Sequence, residues 1–182
     1  MSRRLPASRG ARVASRPKLW TCRNCGRAFA NRNQSHFCSD VSLESHFEGK
    51  PPKTRELFDA FIAAIRERGG PVKILPEKTR IAFQVRMSFA AVMARGGYLR
   101  GHLVLAERHD DPCFYKIETF SPRNHLHAFE LREMSQLSDP QLGQYIAPAY
   151  AVGCQDHLSA PRASATRNSN RPRTISAGKR RA

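Results

Sequence analysis

The sequence contains no apolar stretch long enough to cross a membrane. A membrane-spanning helix needs roughly 18 consecutive apolar residues, and the longest candidate, within residues 89–94, has polar neighbours. The first residues also lack the apolar segment that an export signal requires, because Pro6, Gly10 and several arginines occupy its place. These absences predict a cytoplasmic protein without a membrane partner.

Acidic residues are scarce and are missing from both ends of the chain. The 182 residues include 31 Lys+Arg against 15 Asp+Glu, which gives a net charge of +16. Residues 1–19 carry six bases, residues 161–182 carry seven, and neither segment contains an acid. Both ends also lack apolar periodicity. We therefore expect residues 1–19 and 159–182 to be disordered basic tails that attract nucleic acid through charge.

Three of the five cysteines fall within 17 residues and the other two lie far apart, which is not the pattern of a disulfide framework. Cys22 and Cys25 are separated by two residues, a spacing that lets two thiolates bind one zinc ion. His36 and Cys38 are two apart, so on an extended segment they point to the same side and can complete a tetrahedron. Residues 20–48 are thus predicted to form a zinc module, whose ion is structural because no coordination position is left open.

Two alternatives remain open for this segment. His46, eight positions after Cys38, is a rival fourth ligand, although the spacing favours His36. A redox dithiol at Cys22 and Cys25 would need a preceding strand and a following helix, which the neighbouring residues support poorly. Three arginines of the module are either a candidate nucleic-acid surface or ordinary solvated side chains: Arg23, Arg27 and Arg32.

Residues 49–158 are predicted to form one α+β domain. Apolar residues at helical spacing predict a helix over 54–68 with Thr54 as its N-cap. A last helix should begin near Asp139 and kink at Pro148. Between the helices, a period of two predicts strands over 72–75, 79–89, 98–106, 115–120 and 124–131. The expected fold is an antiparallel β-meander packed against an N-terminal and a C-terminal helix and preceded by the zinc module.

One face of this sheet is a candidate binding surface. If the helices cover the other face, the open face carries polar and basic side chains: Arg80, Gln84, Arg86, Ser88, Tyr98, Arg100 and His102. Guanidinium groups bind anionic oxygens bidentately, so nucleic-acid phosphates or another anion would suit it. The alternative is the ordinary solvated side of a half-buried sheet.

His125 and His127 share a strand face and are the second group of candidate functional residues in this domain. They are a metal pair, a general base with a helper, or two packed histidines, and the last is favoured because no carboxylate is near them in sequence. Cys113 and Cys154 are expected to be small buried residues. The sequence contains no phosphate-binding glycine loop, nucleophile elbow or metallohydrolase signature, so enzyme activity has no positive support.

A family resemblance rests on residues distributed from the zinc module to the last helix. They are Trp20, Thr21, Cys22, Cys25, Gly26, Arg27, Phe29, Asn31, Arg32, Gln34, His36, Cys38, His46, Phe47, Gly49, Lys50, Lys78, Thr79, Arg80, Ile81, Phe83, Phe89, Gly101, His102, Ser121, Pro122, Arg123, Asn124, His125, Ala149, Tyr150 and Gly153. With them, residues 20 to about 153 resemble the bacterial family of domain of unknown function 5655, preceded by a zinc-finger-like segment. The resemblance implies a fold and no reaction. It also implies that five residues gather around one anionic ligand: Lys78, Arg80, Arg123, Asn124 and His125.

Three functions are compatible with these patterns. The favoured one is a non-enzymatic, nucleic-acid-associated protein with a structural zinc ion. The alternative is a protein-interaction or small-anion-binding module whose basic tails are incidental. The third is an enzyme that uses His125 or His127 as a base, which would need a nearby carboxylate, nucleophile or open metal position.

Overall fold

The computed structural model describes residues 18–34, 36–38 and 41–159. The predicted tails lie almost entirely outside these residues, and the predicted domain boundaries stay predictions. The described strands are β1 (Trp20–Thr21), β2 (Ala28–Phe29), β3 (Lys73–Pro76), β4 (Ile81–Gln84), β5 (Ser88–Ala94), β6 (Leu99–Leu105), β7 (Phe114–Ser121) and β8 (Asn124–Leu131). The α-helices are α1 (Pro52–Arg68), α2 (Ile146–Gly153) and α3 (Asp156–Ser159), and short 3-10 helices span Glu44–His46, Met134–Leu137 and Leu142–Tyr145.

The predicted α+β class with an antiparallel sheet is confirmed. Strands β3 to β8 form one six-stranded sheet in the order β3-β4-β5-β6-β8-β7, with every neighbouring pair antiparallel. The order is that of a meander through β6. The last hairpin then departs from it, because β8 pairs with β6 and leaves β7 at the edge.

The core lies between one face of this sheet and the helices α1 and α2. Phe61 of α1 is fully buried, and its ring lies 5.4 Å from that of Phe83 on β4 and 5.6 Å from that of Phe129 on β8. On β6, side chains alternate between buried and half-buried positions, which places Leu99, Leu103 and Leu105 in this core. The opposite face carries polar side chains such as Arg100 beside apolar ones such as Ala91 and Met93.

The predicted single strand over residues 79–89 is wrong, because the chain reverses between β4 and β5. The turn contains no glycine, asparagine or proline that would mark it in the sequence. It is stabilised instead by a distant element, since the backbone N–H groups of Arg86 and Met87 each donate to the carbonyl of Gly153, at 3.1 Å. A register shift beside Gln84 then allows Phe89 to be fully buried, with its ring 5.5 Å from that of Tyr150.

Two predicted helix features are also wrong. Pro51 is the N-cap of α1 and Pro52 its first residue, a position where the missing proline N–H costs nothing. Thr54 is therefore inside the first turn, where its hydroxyl donates to the carbonyl of Arg95 at 2.9 Å. Pro148 produces no kink, because the helix after Asp139 starts later than predicted and Pro148 falls within the first turn of α2. No helix in the described part of the chain is long and apolar enough to span a bilayer.

Candidate metal centre and polar surfaces

The four predicted ligands lie together at one end of the small β1–β2 sheet. Cys22 and Cys25 occupy the turn between the strands, where the N–H of Cys22 donates to the carbonyl of Arg27 at 2.9 Å. Gly26 has a φ of 67°, a left-handed conformation that favours glycine. This turn directs both thiols toward the segment that carries His36 and Cys38.

The ligand atoms lie at separations close to those of a tetrahedral zinc site. The Sγ atoms of Cys22 and Cys38 are 3.8 Å apart, and Nε2 of His36 lies 3.3 Å from Sγ of Cys25 and 3.1 Å from Sγ of Cys38. Zinc bonds of about 2.3 Å to sulfur and about 2.0 Å to nitrogen imply separations of about 3.8 Å and about 3.5 Å in a tetrahedron. All four atoms lie within 4.8 Å of one another, so this group can hold a metal ion.

The orientation of His36 is fixed by a backbone group. Its Nδ1 lies 2.7 Å from the carbonyl oxygen of Gln34, so Nδ1–H donates to that oxygen and Nε2 faces the thiols as an acceptor. The same carbonyl raises the pKa of His36. The imidazole also packs on Phe29, with ring centroids 4.2 Å apart. Sequence reasoning did not find this positioning contact, since any residue at position 34 supplies the carbonyl.

The thiols of the group differ in acidity. The backbone N–H groups of Cys25 and Asn24 lower the pKa of Cys22 to about 6, whereas burial and the neighbouring thiols raise the pKa of Cys38 to about 11. Cys22 is therefore a thiolate at neutral pH. Cys38 loses its proton when a metal binds.

The rival ligand His46 lies outside this group. It belongs to the 3-10 helix that precedes α1, and the four-atom group contains His36 in its place. Burial lowers the pKa of His46, and its Nε2 is buried without a hydrogen-bond partner among the described residues. The alternative ligand set that included His46 is therefore wrong.

The arginines of the module have two different roles. Arg27 is structural, because its guanidinium donates to the carbonyl of Phe37 at 3.0 Å. Arg23 and Arg32 are exposed and form no hydrogen bond or ion pair with the described residues. Both line a cavity of about 550 Å³ that also includes Trp20 and His36. Two cationic side chains and one aromatic ring thus surround the Cys/His group.

The arginines predicted for the open face of the sheet are mostly held by neighbours. Arg80 pairs with Glu77 at 2.7 Å, and Arg100 donates to the hydroxyl of Tyr115 at 2.8 Å. Arg86 is not on this face at all, because the turn after β4 brings it to Gln155 beyond the end of α2, at 3.0 Å. Lys78 is exposed in the loop before β4, and Gln84 and Ser88 lie toward the metal module.

Lys78, Arg80, Arg123, Asn124 and His125 do not gather around one ligand. Strands β5 and β6 lie between β4 and β8. Through the strand pairings, Ile81 is in register with Phe129, and His125 lies four residues before Phe129 on β8. At about 3.3 Å per residue and 4.8 Å per strand, Arg80 and His125 are about 20 Å apart. The predicted common anion site is therefore wrong.

His125 and His127 are packed histidines. His127 is fully buried, its Nδ1 lies 3.1 Å from the carbonyl of His125, and its Nε2 accepts the backbone N–H of His109 at 3.0 Å. Burial lowers the pKa of His127. His125 is buried with its Nδ1 2.9 Å from the hydroxyl of Thr119. These partners occupy both ring nitrogens of His127 and Nδ1 of His125.

The open face contains a cavity of about 340 Å³ that sequence reasoning missed. Its apolar lining includes Ala91, Met93 and Leu126. The charged side chains in the lining are Arg80, Arg100, Lys116 and Glu118. Lys116 pairs with Glu118, which brings charges of both signs to the cavity. Only the pairing of β7 with β8 places these two residues here, and no sequence pattern fixes that pairing.

His102 in this cavity should remain neutral well into the acid range. Burial and the charge of Arg80 lower its pKa to about 4. The unfolded chain therefore binds a proton at this residue near pH 6.5 while the folded chain does not, so the free energy of unfolding should fall as the pH drops from about 6.5 to 4. Nuclear magnetic resonance titration should give the low pKa, and His102→Gln should reduce the loss of stability between pH 7 and 5. Titration of His102 near 6.5 would contradict this.

The fold and the Cys/His group define the class of the protein: an α+β domain with a small candidate metal module at its N-terminal side. Residues 43–153, well over half of the chain, match the family model described as domain of unknown function (DUF5655). The chain belongs to this family, which confirms the resemblance over that range. The match begins after Cys38, so the Cys/His group lies outside it. No curated protein and no solved structure matches the chain.

Proposed function

We propose that the Cys/His group binds a structural zinc ion. Three thiols and one imidazole are a donor set that zinc prefers, and four protein ligands leave no position for a substrate or water. The β1–β2 sheet has only two residues in each strand. Because so small a unit buries little apolar surface, metal binding supplies the free energy that holds the module in this conformation.

We further propose that the protein binds nucleic acid without catalysing a reaction, and that the metal module contacts the phosphates. The observation that carries this proposal is the position of Arg23 and Arg32, exposed beside Trp20 without partners among the described residues. Guanidinium groups bind phosphate oxygens, and an aromatic ring stacks on bases. The basic ends of the chain add attraction that does not depend on sequence.

Ion pairing makes the open face of the sheet a weaker candidate. An anion bound there would compete with Glu77 for Arg80 and with Tyr115 for Arg100. Arg80 and Arg100 are thus already engaged, whereas Arg23 and Arg32 have no partner among the described residues. The proposal therefore assigns the contact to the metal module.

Binding of a short labelled oligonucleotide across a salt series tests this function. Each lost phosphate contact lowers the slope of log K against log salt by about 0.7 to 0.9. We expect the double variant Arg23→Gln/Arg32→Gln of the full chain to lower the slope by about 1.5. The matched control is Arg66→Gln/Lys73→Gln, which removes the same charge from two exposed residues on α1 and β3.

Equal slopes for the module variant and its control would overturn the proposed role of the module. If binding then disappears in a chain restricted to residues 18–159, the ends of the chain alone account for the affinity. If the full chain does not bind at all at 50 mM salt, nucleic-acid binding is wrong, and a protein partner becomes the next hypothesis.

A further inference from the structure

A polar cleft lies between the metal module and the sheet domain. The two parts are joined by Gln84 of β4, which is buried and donates from Nε2 to the carbonyl of Ala28 on β2, at 2.6 Å. Beside this contact is a cleft of about 320 Å³. Its walls come from the module, from the turns β4–β5 and β7–β8, and from the segment after α2. This module–sheet cleft is separate from the cavity around the metal ligands.

Side-chain amides dominate the polar lining of the module–sheet cleft. Four of them face it: Asn31, Gln34, Asn124 and Gln155. Among the described residues, the amides of Gln34 and Asn124 have no hydrogen-bond partner, and Gln155 uses only its oxygen, toward Arg86. An amide presents a donor and an acceptor side by side, which is the pattern that reads the edge of a nucleobase.

Two residues of the segment after α2 that line the module–sheet cleft have unusual features. Gln155 has a φ of 64°, a left-handed conformation in which glycine would be less strained, so the chain keeps an amide side chain at a conformational cost. Nδ1 of His157 is buried without a hydrogen-bond partner among the described residues. Burial and the charge of Arg123 lower the pKa of His157, which leaves the ring neutral.

The charge of the lining favours a nucleotide over a peptide. Arg123 contributes a positive charge, with Nη1 donating to the carbonyl of His157 at 2.7 Å, and none of the described residues that line the cleft is a carboxylate. Met87 and Leu158 add apolar surface that can cover the flat face of a base. A duplex presents its base edges within its grooves, which the walls of a concave cleft do not enter. A base turned out from a single strand can enter.

We propose that the module–sheet cleft binds an unpaired base of a single-stranded nucleic acid. This rests on the proposed nucleic-acid binding and specifies its substrate class: Arg23 and Arg32 hold phosphates, and the cleft selects single strands. Asn31 and Gln34 lie between Phe29 and His36, within the segment that the Cys/His group holds. Removal of the metal should therefore release one wall of the cleft.

The test uses the full-length, zinc-loaded protein and labelled 12-nucleotide mixed-sequence RNA and DNA, each as a single strand and as a duplex, at 150 mM salt. We expect single strands to bind at least tenfold more tightly than duplexes. Asn124→Ala and Gln34→Ala should each weaken single-strand binding about tenfold and leave duplex binding unchanged. The matched control is Gln141→Ala, an exposed amide outside the cleft. Thermal unfolding confirms that the variants fold.

The outcomes separate this inference from the proposed function. If single strands and duplexes bind equally and only Arg23→Gln/Arg32→Gln weakens them, the cleft does not take a base and the phosphate-binding role of the module stands. If no oligonucleotide binds, both proposals are wrong, and a peptide becomes the next candidate ligand of the cleft. If Gln141→Ala weakens binding as much as Asn124→Ala, the effect is not specific to the cleft and the inference fails.

Discussion

The Cys25→Ser variant should lose its bound zinc almost completely, whereas the unchanged protein should carry one ion per chain. Serine keeps the size of the side chain but removes the thiolate, so only three ligands remain in a site that is closed by four. A structural ion supplies folding free energy to its module, so the loss is expected to unfold the β1–β2 region. Elemental analysis gives the metal content, and trypsin cleavage after Arg23, Arg27 and Arg32 should become fast.

Two control variants make this experiment specific. Cys113→Ser changes a thiol outside the module, one whose pKa is raised to about 12 by burial. His46→Asn removes the histidine that the sequence had left as a rival ligand. Both variants should retain one zinc ion. Loss of zinc from His46→Asn, or full occupancy in Cys25→Ser, would show that the ligands are not Cys22, Cys25, His36 and Cys38.

The metal ligands were predictable because their spacing is local. Cys22 and Cys25 share one turn, and His36 and Cys38 are neighbours on one extended segment, so short stretches of sequence fix both halves of the group. The choice of His36 over His46 followed from the same short spacing. The carbonyl of Gln34 that orients His36 was not predictable, because a backbone group leaves no signature in the sequence.

The sheet was predictable where the apolar pattern and the turn residues agreed. The boundaries of β8 were predicted correctly, and the Gly96–Gly97 turn between β5 and β6 carries its own glycine signal. The β4–β5 reversal was missed because the carbonyl of Gly153, about 65 residues away in sequence, accepts the hydrogen bonds of that turn. The alternation of apolar and polar residues continues through this turn, and no turn residue marks the reversal in the sequence.

The common anion site failed for a topological reason. Lys78 and Arg80 precede β4, whereas Arg123 to His125 lie at the start of β8, and the pairing of β6 with β8 places two strands between them. The same topology explains how the module–sheet cleft escaped sequence reasoning. Its four amides come from three separate segments, and contacts such as that of Gln84 with Ala28 bring the module against the sheet.

The Phe61→Ala variant should show the largest loss of stability among single core changes on α1. The Phe61 ring is fully buried between Phe83 and Phe129, so it joins the helix to β4 and β8 at once. Truncation removes the transfer free energy of the ring and leaves a cavity that two strands cannot close. We expect a loss of about 3 to 5 kcal/mol in the free energy of unfolding.

Phe120→Ala is the matched control, because it makes the same chemical change at a ring that is 65% exposed on the edge strand β7. Its free energy of unfolding should change by no more than about 0.5 kcal/mol. Urea denaturation of both variants at a fixed zinc concentration measures the difference. The zinc concentration is fixed because loss of the metal would itself lower the free energy of unfolding. A loss below about 1 kcal/mol for Phe61→Ala would mean that α1 does not pack on the sheet as described. A similar loss for both variants would place Phe120 in a buried contact, such as an interface that covers β7.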